Sequence, residues 1–180
     1  MVRIVYAGLL GVAQNLLKII NDVDFAQLDA ELHIYGGGNQ KEDIKSYIVK
    51  HPEKNIYFHG YVEADQLKEV LLQYDAALVP LVTYIQGAVP SKIFDTMPLG
   101  LPIFFCGGGE GAEIVRKYRL GFVSKPDDAA SLSANIQKFS MMTKSQRELM
   151  AYREKEVARE YFDYDKQVKE CYQFIRNVVN

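Results

Sequence analysis

Short apolar segments alternate with amphipathic segments along this chain, and the alternation predicts the order of its strands and helices. The apolar segments are rich in β-branched and aromatic residues, which favour strands. Six segments are predicted to be strands, namely 2–8, 31–38, 55–62, 75–82, 101–109 and 120–124. Other segments place apolar residues at helical spacing. These predicted helices are 13–23, 40–51, 64–74, 90–100, 109–119, 127–140 and, in the C-terminal tail, 143–179.

The predicted strands are apolar at nearly every position, which is typical of parallel strands buried on both faces. Strands that alternate with helices indicate an α/β fold with right-handed crossovers. We therefore predict a doubly wound, Rossmann-like, mostly parallel six-stranded sheet with helices on both faces and a C-terminal helical tail. The expected division is a sheet domain over 1–142 and C-terminal helices over 143–180 that pack on it.

Composition narrows the class of protein. The chain has 180 residues, 48% of them hydrophobic, and a net charge of −2, which argues against a nucleic-acid binder. Its two cysteines, Cys106 and Cys171, are too few for a disulfide framework, and Cys106 is expected to be a buried thiol. No apolar run reaches the roughly 18 residues of a membrane helix. These features favour a cytoplasmic protein.

Glycines cluster where the predicted strands end. They are Gly8 and Gly11, 36–38, Gly60, and the run that includes 107–111. Carboxyl ends of parallel strands form the ligand-binding edge of such sheets, and glycine lets the backbone approach an anion closely. Each cluster alone is also explained by the conformation of a strand-to-helix turn. Several clusters on one edge favour a ligand site there.

Other common motifs are absent from the sequence. The first strand ends in GLLG, which is not the G-x-G-x-x-G of a dinucleotide site, and no phosphate-binding P-loop motif occurs. No cysteines and histidines have zinc-ligand spacing. His33, His51 and His59 are isolated from one another in sequence, and each is expected to be a structural or surface histidine.

The sequence Pro90-Ser91-Lys92 begins a predicted helix. A lysine at this position is unfavourable for the helix alone and favourable if an anion lies beside it. At about 4 Å and a moderate dielectric constant, such a charge pair is worth roughly 4 kcal/mol before desolvation. Asp95 follows one turn later, where it could accept hydrogen bonds from ribose hydroxyls. A solvated lysine and an exposed helix acid are the alternative interpretations.

This region resembles a known family. Residues 90–115, PSKIFDTMPLGLPIFFCGGGEGAEIV, are similar to the P-S-K-[IL]-[FY]-E-Y-M-A-x-G-x-P-[IV] segment and later G-G-E of retaining GT-B-fold glycosyltransferases, in the group-one family of the family-four type. Further segments resemble the family in the same order: YAGLLGVAQNLLKII, LHIYGGGNQKEDIK, NIYFHGYVEADQLKEVLLQYDAALVPL and YRLGFVSKPDDAASLSANI. Together they cover about residues 3–140.

The resemblance implies a site for a nucleoside-diphosphate sugar, a UDP-sugar or a GDP-sugar, with no further cofactor and no metal. It implies that Lys92 and Asp95 are the catalytic residues, with Lys92 on the leaving diphosphate and Asp95 on the ribose. The other residues implied to contact the donor are Ser91, Gly8 and Gly11 at the phosphates, Gly60, Tyr61 and Val62 at the base, and Glu110 and Gly111 at the sugar or diphosphate.

The chain departs from the family pattern at several positions. Val12 stands where the family often has a cation, Asp95 replaces a glutamate, and Gly87 stands where the first acid of a pair would fall. These departures keep a second hypothesis open, a non-catalytic module that binds a nucleotide sugar or a protein partner. A sugar-nucleotide epimerase lobe is a weaker alternative, since the ordered motifs argue against it.

The resemblance covers only the second of the family's two lobes. It implies a donor-binding half of a glycosyltransferase, a role in envelope polysaccharide synthesis, and an acceptor glycan or lipid-linked sugar bound through an N-terminal lobe. It also allows peripheral association with the inner face of a membrane. Residues 161–175 are expected to form the helix that braces the first lobe. Alternatively their apolar side chains are ordinary core, namely Tyr161, Phe162, Val168, Cys171, Tyr172 and Ile175.

Overall fold

The computed structural model describes residues 1–82 and 86–179, and it confirms the predicted α/β fold. Its six parallel strands form one sheet in the order β3-β2-β1-β4-β5-β6. The strands are β1 (Val2–Leu9), β2 (Ala30–Gly37), β3 (Ile56–Gly60), β4 (Ala76–Leu81), β5 (Ile103–Gly107) and β6 (Gly121–Ser124). The last residue of the predicted helical tail, Asn180, lies outside the described residues.

Eight α-helices connect and follow the strands in the described part of the chain. They are α1 (Leu16–Asp22), α2 (Lys41–Lys50), α3 (Leu67–Leu71), α4 (Lys92–Thr96), α5 (Gly109–Tyr118), α6 (Ala129–Ser140), α7 (Lys144–Tyr161) and α8 (Tyr164–Val179). The helix predicted over 90–100 is an α-helix of five residues followed by a 3₁₀ turn at Met97–Leu99. Pro98 lacks the N–H that would continue the α-helical hydrogen bonding.

The strand order reverses between β1 and β4. The chain builds β1, β2 and β3 outward in one direction, then returns to place β4 on the other side of β1, where Ile4 pairs with Ala76 and Val5 with Ala77. Connections leave the carboxyl ends of β1 and β4 in opposite directions, which opens a crevice between them. Ligands of such sheets usually bind in this kind of crevice, which here lies beside the end of β1.

Apolar side chains cover both faces of the sheet, as continuous apolar strands require. One face packs against α1, α2 and α6, with buried residues that include Leu16, Ile20, Ile44, Leu132, Ile136 and Phe139. The other face packs against α3, α4, α5 and α7, with buried residues that include Leu71, Ile93, Met97, Val115 and Val157. The edge strand β3 keeps one side exposed, where Tyr57 is 42% accessible.

The two C-terminal helices differ in their packing. Helix α7 buries Glu154, Val157 and Ala158, and the last two belong to an apolar cluster with residues of β4 and β5. The side chains of α8 from 164 to 178 are exposed, so they are not the ordinary core that one interpretation expected. The large apolar ones among them are Tyr164, Val168, Tyr172, Phe174, Ile175 and Val178. Phe162, between the helices, is partly buried and packs against Phe94 and Tyr118.

The two cysteines occupy different environments. Cys106 is buried in β5, as predicted, and burial raises the pKa of its thiol to about 12. Cys171 is exposed on α8. Among the helices of the described residues, none is long and apolar enough to span a membrane.

Candidate functional site

A cleft of about 510 Å³ lies at the point where the strand order reverses. Its walls come from the ends of β1 and β2, from the segment after β3, from the start of α3, and from α4, which follows β4. The lining residues are Ala7, Gly8, Leu9, Tyr35, Gly36, Gly37, Tyr61, Val62, Ala64, Leu67, Lys92 and Asp95. Five of the ten residues that the sequence assigned to the donor site therefore meet in one cavity.

Lys92 contributes a cationic side chain to the lining of the cleft. It is the first residue of α4, and its Nζ atom lies 5.9 Å from the centroid of the Tyr6 ring. A Cβ atom on Gly8 would overlap the Cε and Nζ atoms of Lys92, so only glycine at position 8 lets the ammonium lie against the end of β1. Gly8 also has a φ of 153°, a conformation that L side chains rarely adopt.

The Lys92 ammonium is partly buried and lacks a counter-ion within residues 1–82 and 86–179, where no carboxylate lies at ion-pair distance from it. Burial lowers the pKa of Lys92, and the Asp95 carboxylate opposes that shift. A partly buried charge without a partner is unfavourable, and a bound anion would remove this cost. The electrostatics of the cleft thus favour a negatively charged ligand.

Asp95 shares the cleft with Lys92 but lies closer to solvent. Burial raises the pKa of its carboxyl group, and the Lys92 ammonium lowers it. The carboxylate remains an acceptor for hydroxyl groups of a ligand. Tyr61 and Val62 lie directly after β3, because that strand ends at Gly60, two residues earlier than predicted. Gly60 has a φ of 83°, which fits glycine at this turn.

Ser91, Gly11 and Gly60 do not line the cleft. Ser91 is exposed, and its side chain makes no cap for the helix. The backbone carbonyl of Gly11 accepts from the N–H groups of Gln14 and Asn15, which shapes the turn after β1. Because α4 has only five residues, its helix dipole would contribute little to the binding of an anion. The expectation of an anion therefore depends on the Lys92 ammonium.

Glu110 and Gly111 also lie outside the cleft, in the first turn of α5. Glu110 accepts a hydrogen bond from the Gly87 N–H at 3.1 Å, and its Oε2 atom is buried without a partner among the described residues. Gly111 is buried against Phe105 and Pro90. The structure thus gives these two residues contacts within the chain, and their contact with a donor stays a prediction.

Sequence reasoning did not single out Tyr35 or Leu67, which also line the cleft. The Tyr35 hydroxyl group lies 2.8 Å from that of Tyr74, a distance that indicates a hydrogen bond. The sequence did contain a signal for Tyr35, because it is a large aromatic residue immediately before the glycines that end β2. Leu67 belongs to a helix that was predicted, and only the packing of α3 directs it here.

Comparison with known proteins identifies one family for most of the chain. The family model described as "Glycosyl transferases group 1" matches residues 2–140. No curated protein matches the chain significantly. Among solved structures, HepE from Anabaena in complex with UDP and glucose aligns with a TM-score of 0.80 at 15% identity, over 97% of this chain and 48% of that one.

Two further structures show the same architecture. Sucrose-phosphate synthase from Thermosynechococcus elongatus aligns with a TM-score of 0.82 at 15% identity, over 98% of this chain and 45% of that one. WaaG, a glycosyltransferase involved in lipopolysaccharide biosynthesis, aligns with a TM-score of 0.70 at 17% identity, over 89% of this chain and 43% of that one. The chain spans less than half of each of these three proteins.

Proposed function

The chain belongs to the group 1 glycosyl transferases, and from this membership we propose that it is the donor-binding half of an enzyme that transfers a sugar from a nucleoside diphosphate to an acceptor. HepE, whose fold it shares, has been crystallised with UDP and glucose. A UDP-sugar or a GDP-sugar is the expected donor. The proposed seat of the donor is the cleft at the strand-order reversal.

One observation carries the assignment of this site. The Lys92 ammonium is partly buried, lacks a counter-ion in the described chain, and lies against the end of β1, where Gly8 leaves room for it. A diphosphate bound there would supply the missing negative charge. Binding would also return the pKa of Lys92 toward its ordinary value, because a nearby anion favours the protonated amine.

In the proposed reaction, the bond between the sugar C1 atom and the diphosphate oxygen breaks while the acceptor oxygen bonds to C1. Negative charge grows on the leaving diphosphate, and the Lys92 ammonium stabilises it most when that bond is nearly broken. Asp95 accepts hydrogen bonds from the ribose hydroxyls, and Tyr61 and Val62 contact the base. Among the described residues we assign no general base, so the acceptor's proton would leave through a group outside this site.

The acceptor site is proposed to lie on a second, N-terminal lobe. The three neighbours contain more than twice the matched length, which leaves room for such a lobe in each of them. The exposed apolar side chains of α8 would pack against it. We place the enzyme in envelope polysaccharide synthesis, with a glycan or lipid-linked acceptor at the cytoplasmic face of a membrane. WaaG, which shares the fold, is involved in lipopolysaccharide biosynthesis.

Calorimetric titration of the chain with UDP and with GDP tests the donor site. A charge-assisted hydrogen bond contributes about 1.5–3 kcal/mol, so Lys92→Ala should weaken binding by roughly 10- to 100-fold. Lys144→Ala is the matched control, because that side chain is 89% exposed and lies outside the cleft. Equal affinities for wild type and Lys92→Ala would remove Lys92 from the site.

A protein that binds neither nucleotide would contradict the donor-binding proposal. That result, together with stable association with another protein, would favour the non-catalytic interaction module. A wild type that binds one nucleotide and loses it only in the Lys92 variant would support the proposal and also identify the base.

A further inference from the structure

The edge of the sheet beside the cleft contains an irregularity in strand pairing. Ile34 of β2 pairs with Phe58 of β3, and the next residue, Tyr35, pairs with Gly60. His59 is therefore an extra residue on β3, a β-bulge. Bulges redirect side chains and are frequent next to functional sites. Here the bulge leaves His59 between two residues of the neighbouring strand.

His59 contacts two residues of β2, Tyr35 and His33. Its ring stacks on the Tyr35 ring, with centroids 4.6 Å apart and an angle of 17° between the planes. Its Nε2 atom lies 2.9 Å from Nδ1 of His33. Tyr35 is also held by the hydroxyl group of Tyr74 at 2.8 Å. The Tyr35 ring is thereby fixed by a stack and a hydrogen bond where it meets the cleft.

His33 connects this pair to an acid. It is 7% exposed, and its Nε2 atom lies 3.1 Å from Oε2 of Glu31. One arrangement of protons satisfies both contacts when the two histidines are neutral. His33 donates from Nε2 to Glu31, and its Nδ1 accepts from Nε2–H of His59. Hydrogen bonds then connect Glu31 to His33 and His33 to His59, and the His59 ring stacks on the Tyr35 ring.

We infer that Tyr35 forms part of the nucleoside subsite and that the His33–His59 pair positions its ring. The inference rests on the proposed function and extends it to residues that neither the motifs nor the comparisons assign. Tyr35 lines the same cleft as Tyr61 and Val62, which makes this part of the cavity aromatic and apolar, while Lys92 supplies the cation. A base with an aromatic face suits the first part, and a diphosphate suits the second.

Protonation of the pair should disturb this arrangement. When both histidines are charged, the two facing nitrogens both carry protons and their hydrogen bond is lost. The other polar and charged groups around the pair are Glu31 on β2, Arg3 on β1, Tyr57 on β3, and Tyr74 after α3. Burial and the charges of His33 and Arg3 lower the pKa of His59. The lowered pKa favours the neutral form of His59 near neutrality.

The test titrates the chain with UDP-glucose and with GDP-mannose, whose phosphates keep their charge between about pH 5.5 and pH 8, unlike a terminal phosphate with a pKa near 6. At about pH 8, Tyr35→Leu and His59→Ala should each bind the preferred nucleotide sugar roughly tenfold more weakly. His59→Phe keeps an aromatic ring against Tyr35 and should bind within about twofold of wild type.

The pH profile separates positioning from general stability. Wild-type affinity should fall at least about fivefold between pH 8 and pH 5.5, whereas His59→Phe should lose most of that dependence because it has no proton to gain. His51→Gln is the matched control and should keep the wild-type profile, since His51 contacts Glu53 and Tyr47 and lies outside the cleft. Inorganic pyrophosphate at pH 8 should bind wild type, Tyr35→Leu and His59→Ala equally, which shows an intact phosphate subsite.

Each other result has a defined meaning. A wild type that binds neither nucleotide sugar overturns the proposed function and this inference with it. A wild type that binds while Tyr35→Leu and His59→Ala bind equally well overturns this inference alone. A His59→Phe variant with the wild-type pH profile overturns the positioning role of the histidine pair.

Discussion

Glu154 offers a sharp test of the packing of α7. Its side chain is fully buried, and neither carboxylate oxygen has a hydrogen-bond partner among the described residues. It lies at helical spacing from Met150, Val157 and Ala158. Met150 packs against the apolar cluster that includes α1, α2 and α6, and Val157 and Ala158 belong to the cluster on the other face of the sheet. Burial raises the pKa of Glu154 well above the usual 4.5, so the folded protein favours the protonated form of this carboxyl group.

The pH dependence follows from this shift. Because the folded state holds the proton more tightly than the unfolded state, the free energy of unfolding decreases as the pH rises from about 4.5 through the folded pKa. The decrease reaches about 1.4 kcal/mol per pH unit in that range. Glu154→Gln removes this dependence but retains a buried amide. Glu154→Leu also removes the unpartnered polar group, and the burial of such a group costs about 1–3 kcal/mol of stability.

Thermal and urea unfolding between about pH 5 and pH 8 measure both the pH dependence and the cost of the buried polar group. Glu154→Leu should raise the free energy of unfolding by about 1–3 kcal/mol at pH 5 and by more at pH 8. At roughly 2–4 °C per kcal/mol, the melting temperature rises by about 2–12 °C. Glu148→Gln, on the exposed side of α7, is the control and should change little. A Glu154→Gln protein with the wild-type pH slope, or a destabilised Glu154→Leu protein, would refute the reasoning.

Three further predictions concern other parts of the chain. Gly8→Ala should weaken UDP or GDP binding by at least about tenfold in calorimetry, because its Cβ displaces the Lys92 ammonium; undiminished binding would contradict the proposed geometry. A thiol reagent should label Cys171 within seconds to minutes and Cys106 only on unfolding, since Cys106 is buried with a raised pKa; two fast thiols would contradict this burial. Ile175→Asp should shift the melting temperature of the chain by less than about 2 °C, because the side chain is 53% exposed; a large loss would show that α8 packs on the domain.

The strands were predictable because each is a nearly uninterrupted apolar run, and burial on both faces imposes that pattern. The exact ends of the strands and helices were less predictable. Strand β3 ends at Gly60 rather than at residue 62, because the positive φ of this glycine turns the chain out of the sheet. Helix α4 is shorter than its apolar pattern suggests, since Pro98 interrupts the hydrogen bonding that the side-chain spacing alone does not reveal.

Part of the candidate site was also predictable. Lys92 and Gly8 were assigned by motif, and the sheet order explains why two such distant segments meet. The relation between His33 and His59 was not predictable, because a β-bulge sets it and the local sequence carries no mark of that bulge. Glu154 resembles the other acids of a highly charged helix, and only the packing of α7 against the sheet domain separates it from them.

The position of β1 in the middle of the sheet determines when the cleft can form. During synthesis, β1, β2 and β3 leave the ribosome before β4, and the side of β1 that will receive β4 stays unpaired until the chain has been made through Leu81. The ammonium that faces Gly8 arrives later still. Under the proposed function, a donor would bind only a chain whose central strands have already joined, and its binding would favour that completed state by mass action.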